Sequence, residues 1–313
     1  MFKDANELWK ASDLPNLQGR LTVITGTGGL GYECALAMAR AGAEVILAGR
    51  SEQKGRDAIF KIRTHVPSAN VWFEELDLAD LASITAFGRR MLERNRAIHV
   101  LINNAAVIMS PKRQATKDGF ELHFGTNHLG HFALTMHLMP LLRKAKDARV
   151  VTVAALAANA ATIDFEDLQQ ERRYRSMKAY GQSKLANILF ALELHRRSTA
   201  GNWGVASIAV HPGLSRTDLS GLKADNTRGN KMPFLLRLIG PIMLSSASQG
   251  ARPTLFAATS PDVESGKYYG PGGFGEIRGV PAPAKLPSAA TDEAVAKQLW
   301  AISKKMTQIK CPG

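Results

Sequence analysis

With 313 residues, 45% of them apolar, the chain is long enough for a large buried core and too apolar for a disordered or fibrous protein. Its net charge of +13 comes from basic residues scattered through 89–90, 143–146, 172–178 and 304–305 among acids and apolar positions. That pattern fits solvated helix faces and attraction for an anionic cofactor, and no nucleic-acid partner is expected.

The polar start Met-Phe-Lys-Asp-Ala-Asn-Glu lacks a signal-peptide core. No run approaches the ~20 apolar residues of a spanning helix, and the best candidate, 233–244, is interrupted by Arg237 and Pro241. Two cysteines, Cys34 and Cys311, make no disulfide framework. A reducing, cytoplasmic setting without stable membrane insertion is expected.

Strand-like aliphatic runs fall at 21–25, 45–48, 71–73, 100–102, 150–153 and 205–210. Helical patterns separate them, as at 32–41 and 185–197. This βαβα order predicts an α/β fold, a doubly wound parallel sheet with helices on both faces, in a single domain over 1–313. Residues 20–213 form the core of that domain, 214–250 a lid leaving the sixth strand, and 251–313 the C-terminal helices and loop. Within the last part, 268–287 is dense in Gly and Pro and reads as loop, and a final helix runs from a cap at Thr291 to about Thr307.

After the first strand comes Thr25-Gly26-Thr27-Gly28-Gly29-Leu30-Gly31, then a helix. Gly26, Gly28 and Gly31 make a GxGxxG between strand and helix, where backbone N–H groups and the helix N-terminus can take a pyrophosphate. Out of that context the same glycines would be an ordinary turn. The second strand ends at Gly49-Arg50, without the acid that would accept from a ribose 2′-hydroxyl. Arg50 suits a 2′-phosphate, so NADP(H) is expected over NAD(H). The alternative is an ordinary surface arginine at a strand end. Asp77-Leu78 and Asn103-Asn104-Ala105-Ala106 close the third and fourth strands, with Asp77 placed to accept from an adenine amino group and small residues leaving room for adenosine.

Tyr180 and Lys184 stand at i and i+4, on one helix face. An ammonium beside a phenol stabilises the phenolate and lowers a pKa that is otherwise near ~10, which is how a tyrosine becomes an acid–base group near neutrality. His128, His131 and His137 have no carboxylate or thiolate at ligand spacing, and no metal is expected. Cys34 reads as a small buried apolar residue.

The chain resembles the short-chain dehydrogenase/reductase family over nearly its whole length. The resemblance is carried by the glycine loop at 26–31, Asp77-Leu78, Asn103-Asn104-Ala105, Asn127 within Gly-Thr-Asn-His-Leu-Gly-His-Phe, Tyr180 and Lys184, and His211-Pro212-Gly213 with Thr217. Phe-Gly-Thr-Asn-His-Leu-Gly-His-Phe, Ile-Asp-Phe-Glu-Asp-Leu and Ala-Tyr-Gly-Gln-Ser-Lys-Leu-Ala-Asn resemble the retinol dehydrogenase and protochlorophyllide reductase branch. The resemblance implies a Rossmann-type fold and hydride transfer with Tyr180 as proton donor or acceptor. Lys184 would bind the nicotinamide ribose, Asn127 a relay water, and Thr217, after Pro212-Gly213, the carboxamide. A homodimer or homotetramer is also implied.

Three positions depart from the family pattern. Only Thr27 and Gly28 separate Gly26 from Gly29, one residue fewer than usual, and Ala106 replaces a glycine. Ala155, preceded by Ala154, stands where the family has its substrate-orienting serine. Thr152 lies on the other face of that strand and does not replace the serine.

Three functions are therefore expected in order. First is an oxidoreductase acting on a small hydrophobic ketone, aldehyde or secondary alcohol beneath an apolar lid at 232–244. Next comes a reductase of an activated C=C or C=N bond. Last is a cofactor-binding protein with little catalysis.

Overall fold

A computed structural model of the protein describes residues 9–108, 110–214 and 245–309. The chain alternates β1 (Leu21–Thr25), α1 (Gly29–Arg40), β2 (Glu44–Gly49), α2 (Glu52–His65), β3 (Val71–Glu75), α3 (Leu81–Arg94) and β4 (Val100–Asn103). A π-helical turn, Phe124–Leu129, runs into α4 (Gly130–Leu142). Then follow β5 (Ala148–Val153), α5 (Ser176–Ala200), β6 (Val205–Val210), α6 (Ala247–Thr259), β7 (Tyr268–Pro271), β8 (Pro281–Pro283) and α7 (Glu293–Thr307). All six expected strands are present, in a sheet of order β3-β2-β1-β4-β5-β6-β7-β8. Its pairs are parallel through β7, and β8 closes the edge antiparallel to β7.

Strand residues bury on both faces, which is why the strands read as aliphatic runs and not as alternating patterns. Val45, Leu47, Ile102 and Val151 pack under α1, α2 and α6, while Ile46, Leu101 and Val150 pack under α3, α4 and α5. Trp300 of α7 stands edge-on to Phe132 at 5.0 Å and stacks on Phe190 at 5.8 Å, with the Arg197 guanidinium 4.6 Å over its ring. Such ring pairs add about 0.5–1.5 kcal/mol each beyond their buried area, and these ones dock the last helix onto α4 and α5. Cys34 is wholly buried in α1, and burial pushes its thiol pKa well up.

Two expectations are corrected. The stretch 268–287 is not all loop, because it contains β7 and β8. Proline-bearing strands survive there because β8 is an edge with few ladder N–H groups to supply. The cap of α7 is Asp292, not Thr291: its Oδ1 accepts from the N–H groups of Ala294 at 2.8 Å and Val295 at 3.2 Å. A carboxylate at that end also meets the positive pole of the helix. Thr217, the apolar stretch 232–244, most of the expected lid and Cys311 lie outside the described residues. Residues 247–250, assigned to the lid, are the first turn of α6.

Among the described residues no helix is long and apolar enough to cross a membrane.

Candidate active site

The sheet order reverses between β1 and β4, so the helices that follow these strands leave on opposite faces and open a crevice at the strand C-termini. A cleft of about 1070 Å³ occupies that crevice. It is lined by Gly26, Thr27, Gly28, Gly29 and Leu30 after β1, Gly49 and Arg50 after β2, and Asp77 and Leu78 after β3. Asn104, Ala105 and Val107 after β4, Val153 and Ala154 after β5, Tyr180 and Lys184 of α5, and Pro212 after β6 complete the wall. Residues picked from distant parts of the sequence thus share one cavity.

The glycine loop fits a close-approaching anion. Gly26 has φ +92°, and a Cβ on Gly31 would stand 2.4 Å from the Gly26 carbonyl oxygen, so α1 can leave β1 this tightly only with glycine at both places. Gly28 caps α1 without a side-chain hydrogen bond, which keeps the helix N-terminus clear of competing protein groups. The turn is held from behind. Thr25 Oγ1 accepts from the N–H groups of Asn104 at 2.8 Å and Ala105 at 2.9 Å, and Asn104 Nδ2 donates to the Thr25 carbonyl at 2.8 Å.

Arg50 is exposed at the far end of the cleft. Lys54 and Lys61, on the facing side of α2, line the same end together with Asp57. These lysines were not read from the sequence, although Lys54 and Lys61 stand two helical turns apart on the helix that follows Arg50. Asp77 uses Oδ1 to accept from the Ala79 N–H at 2.9 Å.

At the other end, Tyr180 and Lys184 are buried on α5. Lys184 Nζ lies 5.8 Å from the centre of the Tyr180 ring and donates to the Val153 carbonyl at 3.0 Å. Asn127 sits in the π-turn with its side chain committed: Oδ1 accepts from the Val107 N–H at 2.8 Å, and Nδ2 donates to the Val107 carbonyl at 3.1 Å and to Ser183 Oγ at 3.0 Å. The relay water expected of Asn127 is thereby left its main-chain carbonyl, which already accepts from His131 Nδ1 at 2.9 Å. His131 Nε2 in turn accepts from Thr25 Oγ1 at 2.9 Å. Burial pushes the His131 pKa down to about 4, and the nearby Lys184 ammonium adds to this.

Of the alanine pair, Ala154 lines the cleft, while Ala155 is half-buried and caps the short 3₁₀ turn Leu156–Ala160. That turn packs on α5 beside Tyr180, since a Cβ on Gly181 would meet the Ala157 carbonyl at 2.9 Å. Thr152 is buried in the sheet, with its Oγ1 3.5 Å from Asn103 Nδ2, and is not part of the cleft wall.

A second network was not read from the sequence. Glu121, buried, accepts from the N–H groups of His123 at 2.9 Å and Phe124 at 2.7 Å and from His123 Nδ1 at 2.7 Å. His123 Nε2 accepts from the Ser110 N–H at 3.1 Å, and Tyr174 Oη donates to the Ser110 carbonyl at 2.8 Å. This ties the cleft wall around Ser110 and Gln114 to the segment that leads into α5. Nothing in Glu-Leu-His as a string marks it, because its partners lie in separate loops.

The model of the short chain dehydrogenase family matches residues 20–227. The chain belongs to that family. It falls in the branch that holds the retinol dehydrogenases. Over 298 residues it is 40% identical to retinol dehydrogenase 12 of Mus musculus, covering 94% of this chain and 88% of that one. It is 37% identical over 304 residues to retinol dehydrogenase 13 of Homo sapiens, with 95% and 87% covered. Polyprenol dehydrogenase of Mus musculus is 36% identical over 299 residues, with 94% and 85% covered. Among solved structures, an uncharacterized protein from Mycobacterium paratuberculosis superposes with a TM-score of 0.81 at 38% identity, covering 98% of this chain and all of that one. As a member of this family the protein is an NAD(P)-dependent oxidoreductase of alcohols and carbonyls.

Proposed function

We propose that the protein is an NADP(H)-preferring enzyme that moves hydride between the nicotinamide and a long apolar carbonyl compound or alcohol, with Tyr180 as the acid–base group. The observation that carries this is Tyr180 and Lys184, buried side by side, in the wall of the cleft that also holds the glycine loop and Arg50. The dinucleotide, when bound, supplies or takes the hydride. Tyr180 gives its hydroxyl proton to the substrate oxygen during reduction, or takes the alcohol proton in the other direction. Lys184, fixed by the Val153 carbonyl, keeps a positive charge beside the phenol ring and so favours the phenolate left after proton transfer. Asn127 holds Val107 and Ser183 in place and leaves only its carbonyl for a relay water.

Arg50, Lys54 and Lys61 around the adenosine end support a preference for the 2′-phosphate of NADP(H). Relatives named for retinol and polyprenol, both long apolar alcohols, support a substrate of that class. The reading includes a reducing, cytoplasmic setting and a homodimer or homotetramer.

The test is Tyr180→Phe assayed with all-trans-retinal and NADPH. Turnover is expected to fall by at least ~10² while NADPH binds as in the wild-type protein, since general acid–base catalysis contributes roughly 10²–10⁴. A Tyr180→Phe enzyme as fast as wild type would refute this mechanism.

Ala154 and Ala155 favour a second reading. With methyl groups where a hydroxyl would hold the carbonyl oxygen, hydride goes to an activated C=C or C=N bond, and Tyr180 protonates carbon or nitrogen. Parallel assays of an enone and its saturated ketone separate the two, because the product shows which bond was reduced. A protein that binds NADPH and reduces neither would be a cofactor-binding protein.

A further inference from the structure

Thr126 precedes Asn127 in the π-turn, is 8% exposed and lines the cleft. Its hydroxyl is shielded from water and has no hydrogen-bond partner in the protein. Among the described residues other buried side-chain polar atoms also lack partners, including Asn103 Oδ1, Asn187 Oδ1 and Tyr268 Oη, but none of those residues forms the cleft wall.

Among the helical threonines, Thr254 of α6 also lacks a partner, but it does not line the cleft. A threonine inside a helix ordinarily donates to the carbonyl four residues back. Thr64, Thr85, Thr135, Thr259 and Thr307 all do so, at 2.7–2.9 Å. Thr126 has no such bond, and it sits in the π-turn, where the carbonyl ladder is offset from that of an α-helix. Burying a polar group without a partner destabilises a fold, and an unpaired group in a native structure calls for an explanation.

Its surroundings indicate which ligand completes it. One turn further along, Gly130 packs directly on the segment after β3: a Cβ there would lie 2.4 Å from the Leu78 carbonyl oxygen. The neighbouring Asn127 side chain grips both backbone groups of Val107, just beyond Asn104 and Ala105. Thr126 therefore belongs to the wall between Leu78 and Val107, on the dinucleotide side of the cleft. Rotation about its Cα–Cβ bond exchanges hydroxyl and methyl, so the hydroxyl can turn toward a ligand without moving the backbone.

We propose that Thr126 is a cofactor-binding residue whose hydroxyl donates a hydrogen bond to an oxygen of the bound dinucleotide's sugar–phosphate backbone. This rests on the reading of the cleft as a dinucleotide site. The site thus has a polar contact that neither the glycine loop nor Arg50 provides, on the helix that also carries Asn127.

Thr126→Val removes the hydroxyl and keeps the shape, and Thr126→Ser keeps the hydroxyl. NADPH is titrated into the wild-type protein and both variants by fluorescence, and thermal unfolding is followed with and without NADPH. Expected for Thr126→Val is an unfolding midpoint no lower than wild type without ligand, an NADPH Kd raised about fivefold and a smaller ligand-induced midpoint shift. Thr126→Ser should stay within about twofold of wild type in Kd. A Thr126→Val protein that binds NADPH within twofold of wild type would overturn the proposal and leave the cleft assignment standing. If the wild-type protein bound neither NADPH nor NADH, the cleft assignment would fail and the proposal with it.

Discussion

Lys184 and Val153 are joined by a 3.0 Å hydrogen bond from Nζ to the main-chain carbonyl, and Asn187 Nδ2 reaches the same carbonyl at 3.1 Å. Two side chains one turn apart on α5 thus clamp the last residue of β5. The clamp fixes Tyr180 relative to the strand end, and with it Ala154 and Ala155, which follow Val153 directly. The missing hydroxyl is therefore absent from a rigid place, and restoring it is a clean experiment.

Ala155→Ser should raise the rate of carbonyl reduction. Removing a donor of this kind elsewhere costs about 2.7–4 kcal/mol, or roughly 10²–10³ in kcat, which sets the upper bound on the gain. Ala154→Ser is the control, because Ala154 is the member of the pair on the cleft wall while Ala155 caps the next turn. If only Ala154→Ser gains activity, the orienting position is 154. No gain from either would favour reduction of C=C or C=N.

Arg50→Ala should raise the KM for NADPH about tenfold and leave that for NADH nearly unchanged, since a charge-assisted hydrogen bond contributes about 1.5–3 kcal/mol and only NADPH has the 2′-phosphate. Lys54 and Lys61 line the same end of the cleft, so Arg50→Ala with Lys54→Ala should erase more of the preference than Arg50→Ala alone. Steady-state kinetics with both cofactors decides. An unchanged NADPH-to-NADH ratio in the double variant would remove this face from cofactor selection.

The strands, the glycine loop and the Tyr180–Lys184 pair were legible in the sequence because each is a local pattern: an aliphatic run, a turn that only glycine permits, an i,i+4 spacing. β7 and β8 were hidden because proline and glycine at a sheet edge resemble a loop, and only the pairing of β7 with β6 and of β8 with β7 distinguishes them. The Glu121–His123–Ser110 network, the Thr25–His131–Asn127 path and the orphan hydroxyl of Thr126 were not legible at all. They depend on partners far away in sequence, such as Thr25 and His131, or on a π-turn that no residue pattern announces. For Asn127 too, the side-chain bonds to Val107 and Ser183 join parts of the chain that the motif around it does not contain.

Glu121→Ala should destabilise the fold by about 3–5 kcal/mol. Its carboxylate is 1% exposed and satisfies three donors, so its removal strands the His123 and Phe124 N–H groups and the His123 ring without a partner. Glu121→Gln, which keeps an acceptor oxygen, should lose less than half as much. Urea unfolding midpoints measure both. Because His123 holds the Ser110 segment of the cleft wall, the Gln variant should also change KM for the carbonyl substrate more than KM for NADPH.

Acid should unfold this protein earlier than carboxylate chemistry alone would require. Burial pushes His128 down to about 3, helped by the neighbouring His131, and pushes His131 to about 4. At pH 5 the folded protein keeps both rings neutral, whereas in the unfolded chain histidines near ~6.5 are mostly protonated. The unfolded state then holds about two more protons, so stability falls as pH drops below about 6.5 and continues to fall until about pH 4 for His131 and about pH 3 for His128. Each ring contributes about 1.4 kcal/mol per pH unit in that window, or about 4 kcal/mol for the pair between pH 7 and pH 5. Burial also lowers His99, His137 and His211, which act in the same direction. Unfolding free energies from urea titrations at pH 7 and pH 5 test this, and His131→Gln should remove close to half of the pair's contribution. Equal stability at the two pH values, within about 1 kcal/mol, would show that these rings take up protons in the folded state, in conflict with His131 Nε2 accepting from Thr25.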